Sequence, residues 1–253
     1  MLRASGVSDT GRVRPINEDS YICDESLGLF VVADGMGGHS AGEVASRLAI
    51  ESVDDFMRRG QEAGDDWPYG YDQALSVDGN RLRTAVCLAN RRVVSVAESH
   101  DDYTGMGTTI VAALIAGPLL VVGHVGDSRL YSYANGQLSR ATRDDSWVET
   151  ILAMQQPVSL EVLATHPMRN VLTNVLGARE PAEVHISERM LEPDEVILLC
   201  SDGVHGVLND AQIAAVIASH AEPADVAYAL VQAALEGGSH DNVTAVVARV
   251  IQE

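Results

Sequence analysis

The apolar residues of this chain fall into short runs, and several runs end in the same way. Leu29-Phe30-Val31-Val32-Ala33 is five apolar residues in a row with two β-branched members, the pattern of a strand buried on both faces. It stops at Asp34-Gly35. Val196 to Cys200 leads into Ser201-Asp202-Gly203, and Leu119 to Val125 leads into Gly126-Asp127. Asp241-Asn242 reverses the order and precedes Val243 to Ala248. Further strands are expected at Leu2 to Ser8, at Ser20 to Asp24, which should pair with Leu29 to Ala33 across residues 25–28, at Ile110 to Ala116, and at Glu183 to Ile186. Arg129 to Ala134 and Gln137 to Arg140 flank Asn135-Gly136, a strong hairpin signal.

Helical spacing appears in four places. Ala41 to Arg58 carries Val44, Leu48, Val53 and Phe56, with Ser40 and Glu43 set as a capping box. Leu82, Val86, Val93 and Val96 mark a second helix at roughly 80–99. Asp210 to Ser219 and Pro223 to Glu236 are two more, the last with proline in the first turn, where it is tolerated. Residues 60–79 read as a surface loop. Residues 143–177 differ in texture: helical pieces at Trp147 to Met154 and Leu160 to Ala164 are broken by Pro157 and Pro167, as in an insertion between strands. The pattern predicts one α+β domain over residues 1–253, a central β-sandwich of two antiparallel sheets flanked by helix pairs, with an insertion at about 143–177.

Composition changes the picture in two respects. The hydrophobic fraction of 46% is ample for a core, and the net charge of −19 argues against binding nucleic acid or an anionic membrane surface. It suits a protein that holds cations. Cys23, Cys87 and Cys200 show no metal-site spacing and are expected to be free thiols in a reducing compartment. The N-terminal residues lack a signal-peptide apolar region and no apolar run spans a bilayer, so the expected location is cytoplasmic.

An acid at the end of a buried strand is costly unless something neutralises it. If the tips meet, Asp34, Asp202 and Asp241, with the Gly35 carbonyl, form an oxygen-rich site suited to Mg²⁺ or Mn²⁺. Asp34 is the natural bridge between two such ions, and two ions about 3.5–4 Å apart activate a shared water. Zinc fits poorly, since Cys/His ligand spacings are missing. Arg14 could offer a planar fork to phosphate oxygens.

These residues also carry a resemblance. Arg14-Pro-Ile-Asn-Glu18-Asp19, Val32-Ala-Asp34-Gly35-Met-Gly-Gly-His39, Gly105-Met-Gly-Thr-Thr109, Gly126-Asp127-Ser-Arg129, Ser201-Asp202-Gly203 and Asp241-Asn242-Val-Thr244 occur in order, and the sequence resembles the metal-dependent serine/threonine protein phosphatases of the PPM, or type 2C, family, in their compact bacterial form. The resemblance implies that Asp34 bridges two Mn²⁺ or Mg²⁺ ions, that Gly35 adds its carbonyl, and that Asp202 and Asp241 complete the first site. It implies that Glu18 or Asp19 orients waters of the second, that Asp127 with Asp202 makes a third, weaker site, and that Arg14 binds phosphate. Residues 143–177 match the family's flap, although Met154-Gln155-Gln156-Pro157 departs from the usual pattern.

The implied function is hydrolysis of phosphoserine and phosphothreonine by a metal-activated water. Substrates would be phosphorylated proteins, a serine/threonine kinase and its targets among them; the expected oligomeric state is a monomer. The alternatives are a catalytically weak phosphoprotein-binding module of the same fold and a phosphatase for small phosphate esters. Single residues have plainer readings. Asp127 could cap the Ser128-Arg129 turn, Arg14 could make a surface salt bridge, and His39 is either the acid for the leaving alkoxide or a ring packed over the glycine turn. His124 reads as a core histidine, His166 as a structural part of the flap, and Gly105 to Thr109 as packing near the metals.

Overall fold

The computed structural model describes residues 2–38, 40–59, 67–154, 162–163 and 166–251. The apolar runs become strands because both of their faces are covered. Phe30, Val32, Val111, Ala113, Leu120 and Val122 of one sheet meet Leu130, Ile197, Leu199, Val246 and Ala248 of the other. The opposite face of the first sheet, with Leu29, Val31, Ile110, Ala112 and Val121, lies under two helices, and that of the second, with Tyr131, Leu198, Ala245 and Val247, under two more. Each large side chain buried in this way contributes roughly 1.5–3 kcal/mol. The result is four layers, helix pair, sheet, sheet, helix pair, as the pattern predicts.

In chain order the elements are β1 (Leu2–Asp9), β2 (Asp19–Asp24), β3 (Leu29–Met36), α1 (Ala41–Arg59), α2 (Val77–Ser99), β4 (Gly107–Thr108), β5 (Ile110–Ala116), β6 (Leu119–Val125), β7 (Arg129–Ala134), β8 (Gln137–Arg140), α3 (Trp147–Ala153), β9 (His185–Met190), β10 (Val196–Cys200), α4 (Asp202–His205), α5 (Asp210–Ser219), α6 (Pro223–Glu236) and β11 (Val243–Val250). One sheet runs β1-β11-β10-β7-β8; the other runs β2-β3-β5-β6-β9, with β4 paired to β3. All pairings are antiparallel. Asn135 and Gly136 both take positive φ in the β7–β8 hairpin. Cys23, Cys87 and Cys200 are free. No helix among the described residues is long and apolar enough to cross a membrane.

Three boundaries differ from expectation. β3 does not end at Ala33 but runs through Asp34 to Met36, because Gly35 and Met36 pair with Thr108 and Gly107 of β4. α2 starts at Val77, where Ser76 caps it by accepting the Gly79 N–H, so part of the expected surface loop is helix. β11 starts at Val243, with Asp241 in the turn before it, as expected. β9 covers His185–Met190 rather than Glu183 to Ile186. It is an edge strand, and its polar positions are occupied: Glu188 accepts from Ser76, and Arg189 pairs with the buried Glu195. Glu43, expected in a capping box, is turned to Arg47 one turn further on. The helical piece expected at Leu160 to Ala164 and the departure at Gln155-Gln156-Pro157 lie largely outside the described residues, as does His39.

β3 and the first turn of α1 touch through two glycines. A Cβ on Gly35 would sit 2.0 Å from the Gly42 carbonyl oxygen and 2.8 Å from that of Glu18. Neither neighbour is a flexible side chain. Gly35→Ala is therefore expected to force strand and helix apart and to lower stability by about 1–3 kcal/mol or more. A thermal melt should show a fall of roughly 3–10 °C; an unchanged melting temperature would mean that this contact yields freely.

Candidate functional site

The ends of the two sheets bring the acids together. Asp19 begins β2 and pairs directly across from Asp34 on β3. Asp202 opens α4 immediately after β10, Asp241 precedes β11, and Asp127 follows β6. The backbone of Asp34 is pinned on both sides. Its carbonyl accepts from the Thr109 N–H at 2.8 Å and the Thr108 hydroxyl at 2.9 Å, and its N–H donates to Thr109 Oγ1 at 3.1 Å. The Gly105 to Thr109 segment thus holds the central carboxylate in place, a more specific task than packing.

Arg14, Glu18, Asp34, Gly35, Asp127, Asp202 and Asp241 all line one cleft of about 970 Å³. Arg14 Nη2 donates to Asp241 Oδ2 at 2.6 Å. The salt-bridge reading of Arg14 is therefore realised, but its partner is one of the clustered acids, and Glu18 and Asp34 add to the negative field that raises the guanidinium pKa. Asp19 is not part of the cleft wall. It lies behind it between the sheets, 8% exposed, while Glu18 faces the cleft. Adjacent residues on an extended chain point to opposite sides, and these two do.

The cluster carries more negative charge than the protein neutralises. Burial raises the pKa of Asp34 well above the ordinary carboxylate range, and Asp19, Asp202, Asp127 and Asp241 add to the rise. Asp19 and Asp202 also move up, chiefly by burial; at Asp19 the hydrogen bonds from Thr244 and Ser201 oppose the rise, and neighbouring acids add to it at both. Asp127 is pushed up to about 7 by burial and then by Asp202 and Asp144. Glu18 Oε1, Asp19 Oδ1 and Asp202 Oδ1 are buried with no hydrogen-bond partner. Unpaired oxygens of this kind cost about 1–3 kcal/mol each, more when charged.

This arrangement can be set against known proteins. Residues 15–236 match the protein phosphatase 2C family. The chain belongs to the protein phosphatase 2C family. It is 37% identical over 99% of its length to the serine/threonine protein phosphatase PstP of Mycobacterium tuberculosis, of which it spans 45%, and 32% identical to the serine/threonine phosphatase stp of Listeria welshimeri, with 96% of this chain and 94% of that protein covered. Among solved structures, the catalytic domain of PstP in complex with 2 manganese ions superposes with a TM-score of 0.83 at 35% identity, covering 99% of both chains. A bacterial serine phosphatase gives a TM-score of 0.86 at 32% identity over 100% of this chain and 99% of that one.

Relative to the family motifs, the structure adds residues the sequence did not single out. Arg129 forms a fork with Asp144, Nε to Oδ1 at 3.0 Å and Nη2 to Oδ2 at 2.7 Å, and both line the same cleft as Arg14. Burial opposes the Arg129 charge, but the Asp144 fork outweighs it and the guanidinium stays ionised. His205, one turn after Asp202, donates from Nε2 to the Asp127 carbonyl at 3.0 Å; burial drives its pKa down to about 3. That contact joins residues 78 positions apart, and no local pattern announces it. Arg129 stands inside a motif already noted and was the legible one of the pair.

Segment 143–177 sits between β8 and β9. Arg169 and Asn170 of this segment reach the cleft. His166 stacks on Trp147 with ring centroids 4.2 Å apart, a structural role as expected. His124 is also a satisfied core histidine: its Nε2 donates to the Arg143 carbonyl at 2.8 Å.

Proposed function

We propose that this protein is a metal-dependent phosphoserine/phosphothreonine phosphatase of the 2C family. The observation that carries the reading is the set of buried, partnerless carboxylate oxygens on Glu18, Asp19 and Asp202 beside Asp34, at motif positions of a family whose member PstP has been solved with 2 manganese ions. The donors are oxygens, as Mg²⁺ and Mn²⁺ prefer. Among the described residues no three acidic, histidine or cysteine side chains form a ready-made ion cage. Hard divalent ions that keep several of their waters do not need one.

Asp34 would bridge two such ions, with Asp202 and Asp241 completing one site and the Gly35 carbonyl reaching the second. Glu18 on the cleft side and Asp19 behind it would serve the other, and Asp127 with Asp202 a third, weaker one. When bound, the ions would lower the pKa of a shared water and neutralise charge on the phosphoryl group. Arg14, which pairs with Asp241 here, would offer its fork to the phosphoryl oxygens when a cation takes up that carboxylate. His39 is assigned to protonating the leaving alkoxide. The flap at 143–177, through Arg169 and Asn170 at the cleft, selects among phosphorylated proteins; the whole is one domain. A monomer acting in the cytoplasm on a serine/threonine kinase and its targets completes the reading.

The test is phosphate release from a phosphothreonine peptide after chelation and after Mn²⁺ is restored. Turnover only with Mn²⁺ supports the proposal. Full turnover in excess chelator overturns the two-cation site. Tight peptide binding without turnover would identify a binding module, and a marked preference for small esters would identify a metabolite phosphatase.

A second prediction follows from the acids' raised pKa values. An acid with a folded pKa above its unfolded value stabilises the fold below about pH 4 and loses that contribution as pH rises through the folded value, about 7 for Asp127. His205 and His124, whose pKa values are lowered, act in the opposite sense. The difference made by Mn²⁺ isolates the acids, because protons and cations compete for the same oxygens. At about a hundredfold excess over Kd, Mn²⁺ should add about 2.7 kcal/mol near pH 8, roughly 5–10 °C in Tm, and almost nothing near pH 5. Equal gains at both pH values would place the ions elsewhere.

A further inference from the structure

Ser201 and Thr244 are fully buried, and both hydroxyls are committed to one oxygen. Ser201 Oγ donates to Asp19 Oδ2 at 2.7 Å and Thr244 Oγ1 donates to the same atom at 2.6 Å. The two donors are fixed to each other: the Ser201 N–H donates to the Thr244 carbonyl at 3.1 Å, and the Thr244 N–H donates to Ser201 Oγ at 3.1 Å. Ser8 Oγ lies 2.7 Å from Thr244 Oγ1 and accepts from Asn17 Nδ2 at 2.8 Å. Thr244 has one hydroxyl proton and it points at Asp19, so the Ser8 proton must point at Thr244. The chain therefore runs one way, from Asn17 through Ser8 and Thr244 to Asp19.

The asymmetry of its end is the informative part. Asp19 Oδ2 takes two donors while Oδ1, equally buried, takes none. A carboxylate buried only for structure gains by dividing its donors between its oxygens, because an orphaned charged oxygen is costly. Here Asp19 belongs to the six-stranded sheet, Thr244 to β11 of the other and Ser201 to the turn that follows its β10, and they meet beside Asp34. Ser201 and Thr244 sit in motifs whose acids already have work, yet the two hydroxyls have none assigned.

We propose that Ser201 and Thr244, backed by Ser8 and Asn17, are positioning residues that lock the Asp19 carboxylate so that Oδ1 is kept free of protein donors for a divalent cation or its water. The proposal rests on the two-cation reading above. Residues that orient a metal ligand without touching the metal typically govern 10–100-fold in affinity.

The experiment is Mn²⁺ titration calorimetry on the intact chain for wild type, Thr244→Val, Thr244→Ser and Ser8→Ala, together with metal-free crystal structures of wild type and Thr244→Val. Thr244→Val keeps the shape and removes the hydroxyl; its Mn²⁺ affinity should fall by about 10–100-fold. The KM for p-nitrophenyl phosphate at saturating Mn²⁺ should stay near the wild-type value. Thr244→Ser restores the donor and should restore affinity to within about threefold of wild type. Ser8→Ala, one link further from the carboxylate and partly buried, should weaken Mn²⁺ by a few-fold and serves if Thr244→Val does not fold. Wild-type affinity in Thr244→Val and Ser8→Ala, or a Thr244→Ser as weak as Thr244→Val, overturns the assignment. If wild type itself binds no Mn²⁺, the two-cation reading fails and the crystal structures decide the clamp: a rotated Asp19 carboxylate in Thr244→Val upholds it, and an unmoved one overturns it.

Discussion

Asp34→Asn should abolish turnover and leave the fold standing. The substitution keeps the size of the side chain and the backbone bonds to Thr108 and Thr109 that fix its position. It removes the charge that four neighbouring acids already oppose. In chelator the variant should therefore melt no lower than wild type, and the relief of repulsion favours a higher value. In Mn²⁺ it should lose most of the stabilisation the ion confers, because the shared carboxylate is gone. Loss of one preorganised electrostatic group at a reacting centre costs on the order of 10²–10³ in kcat; a residue shared by two ions should sit at or beyond the upper end. Asp127→Asn should be milder, since it touches only the third site. Steady-state kinetics on a phosphothreonine peptide, with melts in chelator and in Mn²⁺, separate these effects. Near wild-type kcat in Asp34→Asn would remove Asp34 from its bridging place.

Arg14→Ala should have the second largest effect, and its signature is divided. Arg14 donates to Asp241 at 2.6 Å with about half of its side chain in solvent, so as a surface pair it contributes little to stability, about 0–1 kcal/mol. The melting temperature should hardly move. Without the guanidinium Asp241 is freed, so Mn²⁺ should bind as well as before or more tightly. Losing a charge-assisted bond to phosphate should cost about 1.5–3 kcal/mol in kcat/KM, roughly 10- to 150-fold. Lower kcat/KM with undiminished Mn²⁺ affinity is the expected pair of results. Unchanged kcat/KM with weaker Mn²⁺ binding would reassign Arg14 to the metal loop.

Most strands were legible because their runs are apolar throughout, and the structure gives the reason: both faces are covered, as Phe30 and Val31 show by facing different layers. β9 was misplaced because Glu188 and Arg189 satisfy polar partners at a sheet edge, which breaks the apolar pattern. The acids were legible because a carboxylate after such a run has no cheap structural excuse. What the sequence concealed is contact between distant parts. Ser201 reaches Asp19 across 182 positions and His205 reaches Asp127 across 78, and nothing local to serine or histidine signals either bond. Glu18 and Asp19 could not be told apart from their order; in the fold Glu18 lines the cleft while Asp19, at the start of β2, bonds to Ser201 and Thr244 behind it.

The pairing of β1 with β11 has a topological consequence. Leu2 lies across from Val250 while Asp9 lies across from Val243, so the first and last strands run side by side with the acid cluster at one end and the described chain ends at the other. Eight residues of strand separate the two, about 25 Å. A short linker could therefore join the ends and the chain be opened instead at the exposed Asn135-Gly136 hairpin, giving a circular permutant in which every strand keeps its neighbours and the end that carries the acid cluster is untouched.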